Sequence, residues 1–248
     1  MSQIIPTDQL SVCRTSFLRA HELLAKFPFP LIKTGVNGQQ LESLTQLTVS
    51  KTSSYDFFGK PADVYTWVSR QLLMAGNSEQ PDAVSAAATL VHNLVYASIQ
   101  PKNSDGVWVA MRSFLPGDIK QLCWNQDSNY VGKSPGQFKV VVTLRGQATL
   151  FPETLPDIAQ VRRLQHQLTN LHNPNDPRTS QIQVQINEFF ANCKVTSAGS
   201  PLRAAIFKPG LDGAFYSEPI VTEPRWSVSI VPGTLGEVME LKERSGIK

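Results

Sequence analysis

Residues 81–100 read PDAVSAAATLVHNLVYASIQ, and the fold turns on this stretch. Pro81 suits the first turn of a helix, where its missing N–H loses nothing, and Asp82 complements the positive end of the helix dipole. Val84, Ala87, Ala88, Val91, Leu94, Val95 and Ser98 recur at helical spacing, and Leu90 and Ile99 widen the stripe. The opposite face carries Ser85, Thr89, Asn93 and Gln100, almost without charge. Surface helices normally place Lys and Glu there, so this helix is expected to be covered on more than one side. Ala86, Ala87 and Ala88 allow close approach of neighbouring backbones. Pro101 biases Gln100 out of the helical region and ends the element. His92 reads as a core or boundary histidine, because no second His or carboxylate stands one turn away.

Upstream, Leu10, Cys13, Phe17, Ala20, Leu24 and Phe27 form an apolar seam in steps of three and four. Pro28 stops that helix. The following Phe27-Pro28-Phe29-Pro30-Leu31-Ile32 is apolar yet cannot be helical. It is either an arm laid over its own core or a hook for a neighbouring subunit, with Phe27, Phe29 and Leu31 as contacts. Leu41, Leu44 and Leu47 suggest a short helix. Val64, Trp67, Val68, Leu72 and Ala75 give the inner face of another, ended by Gly76. The first hundred residues therefore read as a helical layer.

Downstream the period changes. Residues 107–115, 119–124, 138–145, 202–207 and 226–231 read as strands. Thr154 and Asp157 start one helix whose stripe is Ile158, Val161, Leu164, Leu168 and Leu171. Gln181 to Asn187 alternates fully, with Ile182, Val184 and Ile186 against Gln181, Gln183, Gln185 and Asn187. It reads as a Gln-faced strand, either solvated or pairing through Gln183 and Gln185 with another copy. The segment 235–243 fits strand or helix. The expected fold class is α+β, a helical N-terminal part packed on an antiparallel β-rich C-terminal part. The division falls at 1–103 and 104–248, with one helix near 155–172 in the second part, and the two parts can share one core.

Composition narrows the function classes. The 248 residues are 41% hydrophobic and only 17% charged, in the globular range but with a surface poor in charge. Cys13, Cys123 and Cys193 are odd in number and far apart, which excludes a disulfide framework and any CxxC motif, and points to a reducing compartment. No signal peptide opens the sequence, and no apolar run nears the ~20 residues of a membrane span. A cytoplasmic location, or one inside a host cell, is expected rather than secretion.

The motifs that match do so in the wrong context. Gly132-Lys133-Ser134-Pro135-Gly136 has the G-x-S-x-G spacing, but Pro135 has no N–H to lend to an oxyanion hole and a strand, not a helix, follows. Position 127 is Asp where a P-loop needs Gly. Gly210-Leu211-Asp212-Gly213 lies between strands, whereas a nucleic-acid clamp of GxxG type joins helices. His21, His92, His166 and His172 show no metal-ligand spacing, and the ten Asp and ten Glu are scattered. No cofactor is expected.

The remaining signal is diffuse. Between Met111 and Lys208 stand eleven Lys or Arg against six Asp or Glu. Lys139, Arg145, Arg162, Arg163, Arg178, Arg203 and Lys208, with Lys194, are interleaved with Trp124, Tyr130, Phe138 and Phe207. Such a set can track phosphates and stack bases, although a solvated face is the default for it. Three functions follow. The first is a non-catalytic structural subunit of a particle, filament or nucleoprotein, partnered by copies of itself or other subunits. The second is a single-stranded RNA-binding subunit. The third is an enzyme whose site is built from residues distant in sequence.

Overall fold

A computed structural model describes residues 7–127, 137–154, 157–171, 176–210 and 213–246. The GKSPG stretch, Tyr130, His172 and the centre of the GLDG turn lie outside the described residues.

The fold is α+β, with most helices preceding most strands. Four helices come early: α1 (Thr7–Leu23), α2 (Gly38–Thr45), α3 (Val64–Met74) and α4 (Pro81–Ile99). Two short strands interleave with them, β1 (Leu31–Lys33) and β2 (Ser53–Gly59). Then follow β3 (Gly106–Phe114), β4 (Trp124–Asn125), β5 (Lys139–Arg145) and β6 (Thr149–Pro152). Helices α5 (Ile158–Asn170) and α6 (Pro177–Phe190) precede β7 (Val195–Ala198), β8 (Arg203–Phe207), β9 (Tyr216–Ser217) and β10 (Arg225–Gly233), and α7 (Leu235–Ser245) comes last.

The strands form two antiparallel sheets, a larger one in the order β1-β8-β5-β10-β3-β2 and a smaller one in the order β4-β9-β6-β7. Strands β3 to β10 pair from the outside inward, β3 with β10, β4 with β9, β5 with β8 and β6 with β7. That nesting is a long hairpin rolled up on itself, the winding of a jelly roll. Strands β1 and β2 extend the larger sheet at its two edges.

Alternation along the larger sheet divides its side chains between two cores. Val107, Val109, Met111, Phe138, Val140, Val142, Leu144, Trp226, Val228 and Ile230 join the helices in one apolar cluster. α4 lies at its centre, packed by α1, α2 and α3 and by the sheet. Thr89, Asn93 and Ser98 are buried with the apolar stripe, which accounts for the absence of charge around this helix. Each of Val91, Leu94 and Val95 is fully buried, worth about 1.5–3 kcal/mol apiece relative to exposure.

Three expectations change. Gln181–Asn187 is the middle of α6, not a strand. Asp176 caps it and Pro177 opens it, and Ile182, Ile186 and Phe190 then fall on one buried or half-buried face while Val184 is exposed. Periods of two and of four coincide at Ile182 and Ile186, so a short alternating run cannot separate them. Among its described residues, the part after residue 104 carries three helices rather than one near 155–172; the open segment 235–243 is helical, begun by a Thr234–Glu237 capping box. Residues 119–124 contribute only the start of β4. Part of the Phe-Pro arm lies on its own chain: Ile32 is fully buried in β1, and Phe29 stacks on Phe151 with ring centres 4.6 Å apart, while Phe27 and Leu31 are exposed. No helix among the described residues is long and apolar enough to cross a membrane.

Burial pushes the His92 imidazole below its ordinary value, outweighing hydrogen bonding with Asn93. In the unfolded chain His92 takes up a proton as pH falls through about 6.5, whereas the folded chain resists. Stability from this group is therefore full above that pH and declines below it. Urea midpoints at pH 7 and pH 5 should differ less for His92→Gln than for the parent; an identical pH slope in both would refute the assignment.

Candidate active site: a charged cavity between the sheets

The other face of the larger sheet looks toward the smaller one, and its residues are small where β3, β5 and β10 run side by side. Ala110, Val141, Ser227 and Ser229 line a cavity of about 190 Å³ together with Trp108, Arg112, Asp127, Lys139, Thr149, Val228, Tyr216 and Glu218. Larger side chains at Ala110, Ser227 and Ser229 would fill it. The charged groups come from four separate pieces of chain, namely β3, the segment after β4, the start of β5 and the segment after β9.

Asp127 is the hub. Its Oδ2 accepts from Lys139 Nζ at 2.9 Å and its Oδ1 accepts from the Tyr216 hydroxyl at 2.7 Å. The carboxylate is 6% exposed and the lysine side chain 14%. The ammonium also sits over two rings, 5.2 Å from the centre of Tyr216 and 5.9 Å from that of Phe207. A buried charge pair is tolerable only with such geometry and with the remaining lone pairs satisfied, and both carboxylate oxygens are engaged here.

The position of Asp127 is set from below by amides. Gln165 and Gln183 donate to the Trp124 carbonyl at 3.3 and 3.2 Å, the Trp124 N–H donates to Asn187 at 3.3 Å, and Asn187 donates to the Leu122 carbonyl at 2.8 Å. α5 and α6 thus clamp β4, and Asp127 follows two residues later. Gln126 donates to the Gly213 carbonyl at 2.9 Å. Further round the wall, the fully buried Arg225 donates through Nε to the Gln147 carbonyl at 2.7 Å, through Nη2 to Thr149 at 3.3 Å, and pairs with Glu218. Gly146 makes room: its φ is +84°, and a Cβ there would meet the Pro224 carbonyl at 2.8 Å. Arg112 pairs with Asp56 at 3.2 Å, and the Trp108 indole donates to the same carboxylate oxygen at 2.9 Å.

Of the basic residues read from the sequence, only Lys139 reaches this cavity. Arg145 donates to the Leu47 carbonyl. Arg162 and Lys208 border a different cavity beside Leu24–Phe29, and Arg163 is exposed on α5. Arg178 pairs with Asp176 at the start of α6; hydrogen bonding from that guanidinium holds the Asp176 carboxyl down to about 2. Arg203 lies on β8 opposite Lys33 of β1, and Lys194 pairs with Glu153. These residues are dispersed rather than gathered into one basic face. The paired Gln row is dispersed as well, since Gln183 binds β4 while Gln185 is exposed. Asp127, Tyr216, Glu218 and Arg112 carried no signal in the sequence, because 89 residues separate the partners in the Tyr216–Asp127 bond.

No protein-family model matches the chain, and no curated protein matches it. Solved structures resemble it in fold. A Trichoplax adhaerens prolyl hydroxylase, in complex with a hypoxia inducible factor oxygen degradation domain peptide fragment, is similar over 96% of this chain and 97% of its own, at 11% identity and a TM-score of 0.43. A prolyl 4-hydroxylase from Phytophthora capsici is similar over 94% of this chain and 67% of its own, at 8% identity and a TM-score of 0.48. The non-heme alpha ketoglutarate dependent epimerase SnoN from nogalamycin biosynthesis is similar over 89% and 83%, at 10% identity and a TM-score of 0.38. Likenesses this remote assign no role to any residue.

The expected non-catalytic structural subunit, with its capsid-like, nucleoprotein and RNA-binding roles, is not the kind of protein that the chain resembles. The similar structures are hydroxylases and an epimerase. Within the chain itself, α4 and the Phe29, Pro30 and Ile32 positions of the Phe-Pro arm are covered internally, and a cavity ringed by titratable groups lies between the sheets.

A non-haem iron of the facial kind takes two imidazoles and one carboxylate, with open positions. The described residues do not fit that set. Among the described residues no imidazole lines the cavity: His21 packs on Phe17 and Phe138, His92 on Tyr96, and His166 bonds Asn170 on α5. Among the described residues no three His, Cys, Asp or Glu side chains are grouped to hold a metal. A divalent ion set on Asp127 within about 4 Å of the ammonium would meet a repulsion of roughly 8 kcal/mol at an effective dielectric of about 20.

The pair should behave as a unit in stability. Lys139→Met leaves a buried carboxylate with a phenol as its remaining partner and should cost about 3–5 kcal/mol. Lys139→Met with Asp127→Asn should recover most of that loss. Urea denaturation of the parent, both single variants and the double variant gives the coupling directly; additive losses would show the pair to be inert.

Proposed function

We propose that this chain is an enzyme acting on a small polar molecule held between its two sheets, with the Lys139 ammonium as the group that meets the reacting oxygen. The observation supporting this reading is the Lys139–Asp127–Tyr216 arrangement, in which a buried carboxylate with both oxygens occupied fixes a cation at the wall of a cavity. An ammonium has three N–H donors, and the bond to Asp127 uses one. The others are available in kind to a carbonyl or carboxylate oxygen of a ligand. In a site of low dielectric, a cation held in place stabilises negative charge developing on such an oxygen without having to reorganise. It can also deliver a proton there. Tyr216 is a positioning residue, since its hydroxyl is directed to Asp127.

The substrate class follows from size and lining. About 190 Å³ holds the equivalent of roughly six waters, the scale of a small metabolite rather than a polymer. Arg112, Thr149, Ser227 and Ser229 add hydrogen-bonding groups around it, and Trp108 and Val141 add apolar surface.

The test is a ligand screen against the full chain, using small hydroxy, oxo and amino carboxylic acids and sugar acids, read by ligand-observed NMR and thermal shift. A compound that binds should lose about tenfold or more in affinity with Lys139→Met while circular dichroism stays unchanged. It should be converted by the parent, and conversion should fall on the order of 100-fold or more in that variant. Equal binding and conversion by both proteins would reject the reading.

A further inference from the structure

We infer that Lys139 is the resident cation of this cavity, occupying Asp127 in the way a divalent metal would have to, so that the site works without one. The inference deepens the proposed function and rests on the cavity being the working site.

Three observations carry it. First, Asp127 has no oxygen left for a metal that is not already used, one by the ammonium at 2.9 Å and one by the phenol at 2.7 Å. Second, the ammonium is fixed by more than this pair. Its place over the rings of Phe207 and Tyr216 adds cation–π attraction from two sides, so it is not readily displaced. Third, the other groups that could ligate a metal at the cavity wall are committed. Glu218 pairs with Arg225, and Asp56 beside the wall pairs with Arg112 and accepts from Trp108. Among the described residues, every carboxylate in or next to the cavity therefore faces a cation of the chain itself, and Thr149, Ser227 and Ser229 add only neutral hydroxyls. Thiolate and imidazole, the ligands that hold transition metals most firmly, are missing from the described wall.

The consequence is a reaction confined to proton transfer and charge stabilisation at a ligand oxygen, with the lysine supplying the positive charge. It also fixes what removal of the lysine should do. Without the ammonium, Asp127 becomes a carboxylate facing an aqueous cavity, which is the first requirement of a cation site.

The experiment measures metal binding to the full chain by calorimetry and by the electron paramagnetic resonance of Mn²⁺, with Fe²⁺ under anaerobic conditions and Zn²⁺ as further probes. The parent should show no one-equivalent site of micromolar affinity, and Lys139→Arg, which keeps the charge, should behave like it. Lys139→Ala should gain Mn²⁺ affinity by about tenfold or more, and adding Asp127→Asn should abolish the gain. If Lys139→Ala fails to fold, the parent and Asp127→Asn decide alone. One equivalent of metal bound by the parent and lost in Asp127→Asn would overturn the inference. Ligand binding repeated in the presence of a chelator separates the two proposals. A ligand that needs metal sinks the inference and leaves the cavity as the site, whereas a chain that refuses both metal and every ligand sinks the cavity reading instead.

Discussion

The larger sheet is a single wall that must satisfy two different interiors, and the rest of the molecule follows from that. Side chains alternate across a strand, so each of β3, β5 and β10 sends half its residues toward the main helical core and half to the opposite face, where α7 covers Trp108, Ala110 and Val231. On the helical side the residues are bulky and apolar, and they meet α4 in the main core. On the other side Ala110, Val141, Ser227 and Ser229 leave room, and a cavity remains. Rigidity on the first side is what makes precision possible on the second. A charged group at the start of β5 is held to within the tolerance of a packed core because the next residue, Val140, is locked into it.

The jelly-roll winding supplies the second constraint. Nested pairing places β4 and β9 in the smaller sheet opposite strands that lie far away in sequence. Asp127, Lys139 and Tyr216 converge for that reason, with the charged side chains of the first two largely buried. Burial raises the stakes of the cluster. A half-satisfied carboxylate there would be a liability, while one accepting from both an ammonium and a phenol is tolerable and immobile. Arg225 repeats the pattern with Glu218, Gln147 and Thr149, so the cavity is walled by charges that have each been answered.

The helices after β6 do more than cover a sheet. Side-chain amides from Gln165, Gln183 and Asn187 hold the backbone of a two-residue strand that has few sheet bonds of its own. Amides suit the task because each can donate and accept at once, and because a charge would have needed a counter-charge beside Trp124. The Gln-rich surface that looked like a face for another copy is in part the device that sets the depth of Asp127.

Some of this was readable from residues in order. The span and burial of α4 followed from a helical stripe backed by Ser85, Thr89, Asn93 and Gln100 rather than Lys and Glu, and the strands at β3, β5, β8 and β10 followed from their apolar pattern. Those are local signals: period, capping and composition act over a few residues, and burial pressure writes them into the chain. The type of α6 was not decided there, because Ile182 and Ile186 serve a strand and a helix alike, and only packing on Trp124, Val161 and Phe215 chose between them. The site was not decided there either. A carboxylate at 127, an ammonium at 139 and a phenol at 216 carry no meaning at those spacings, and it took the closing of one sheet over the other, driven by apolar burial, to bring them within hydrogen-bonding distance.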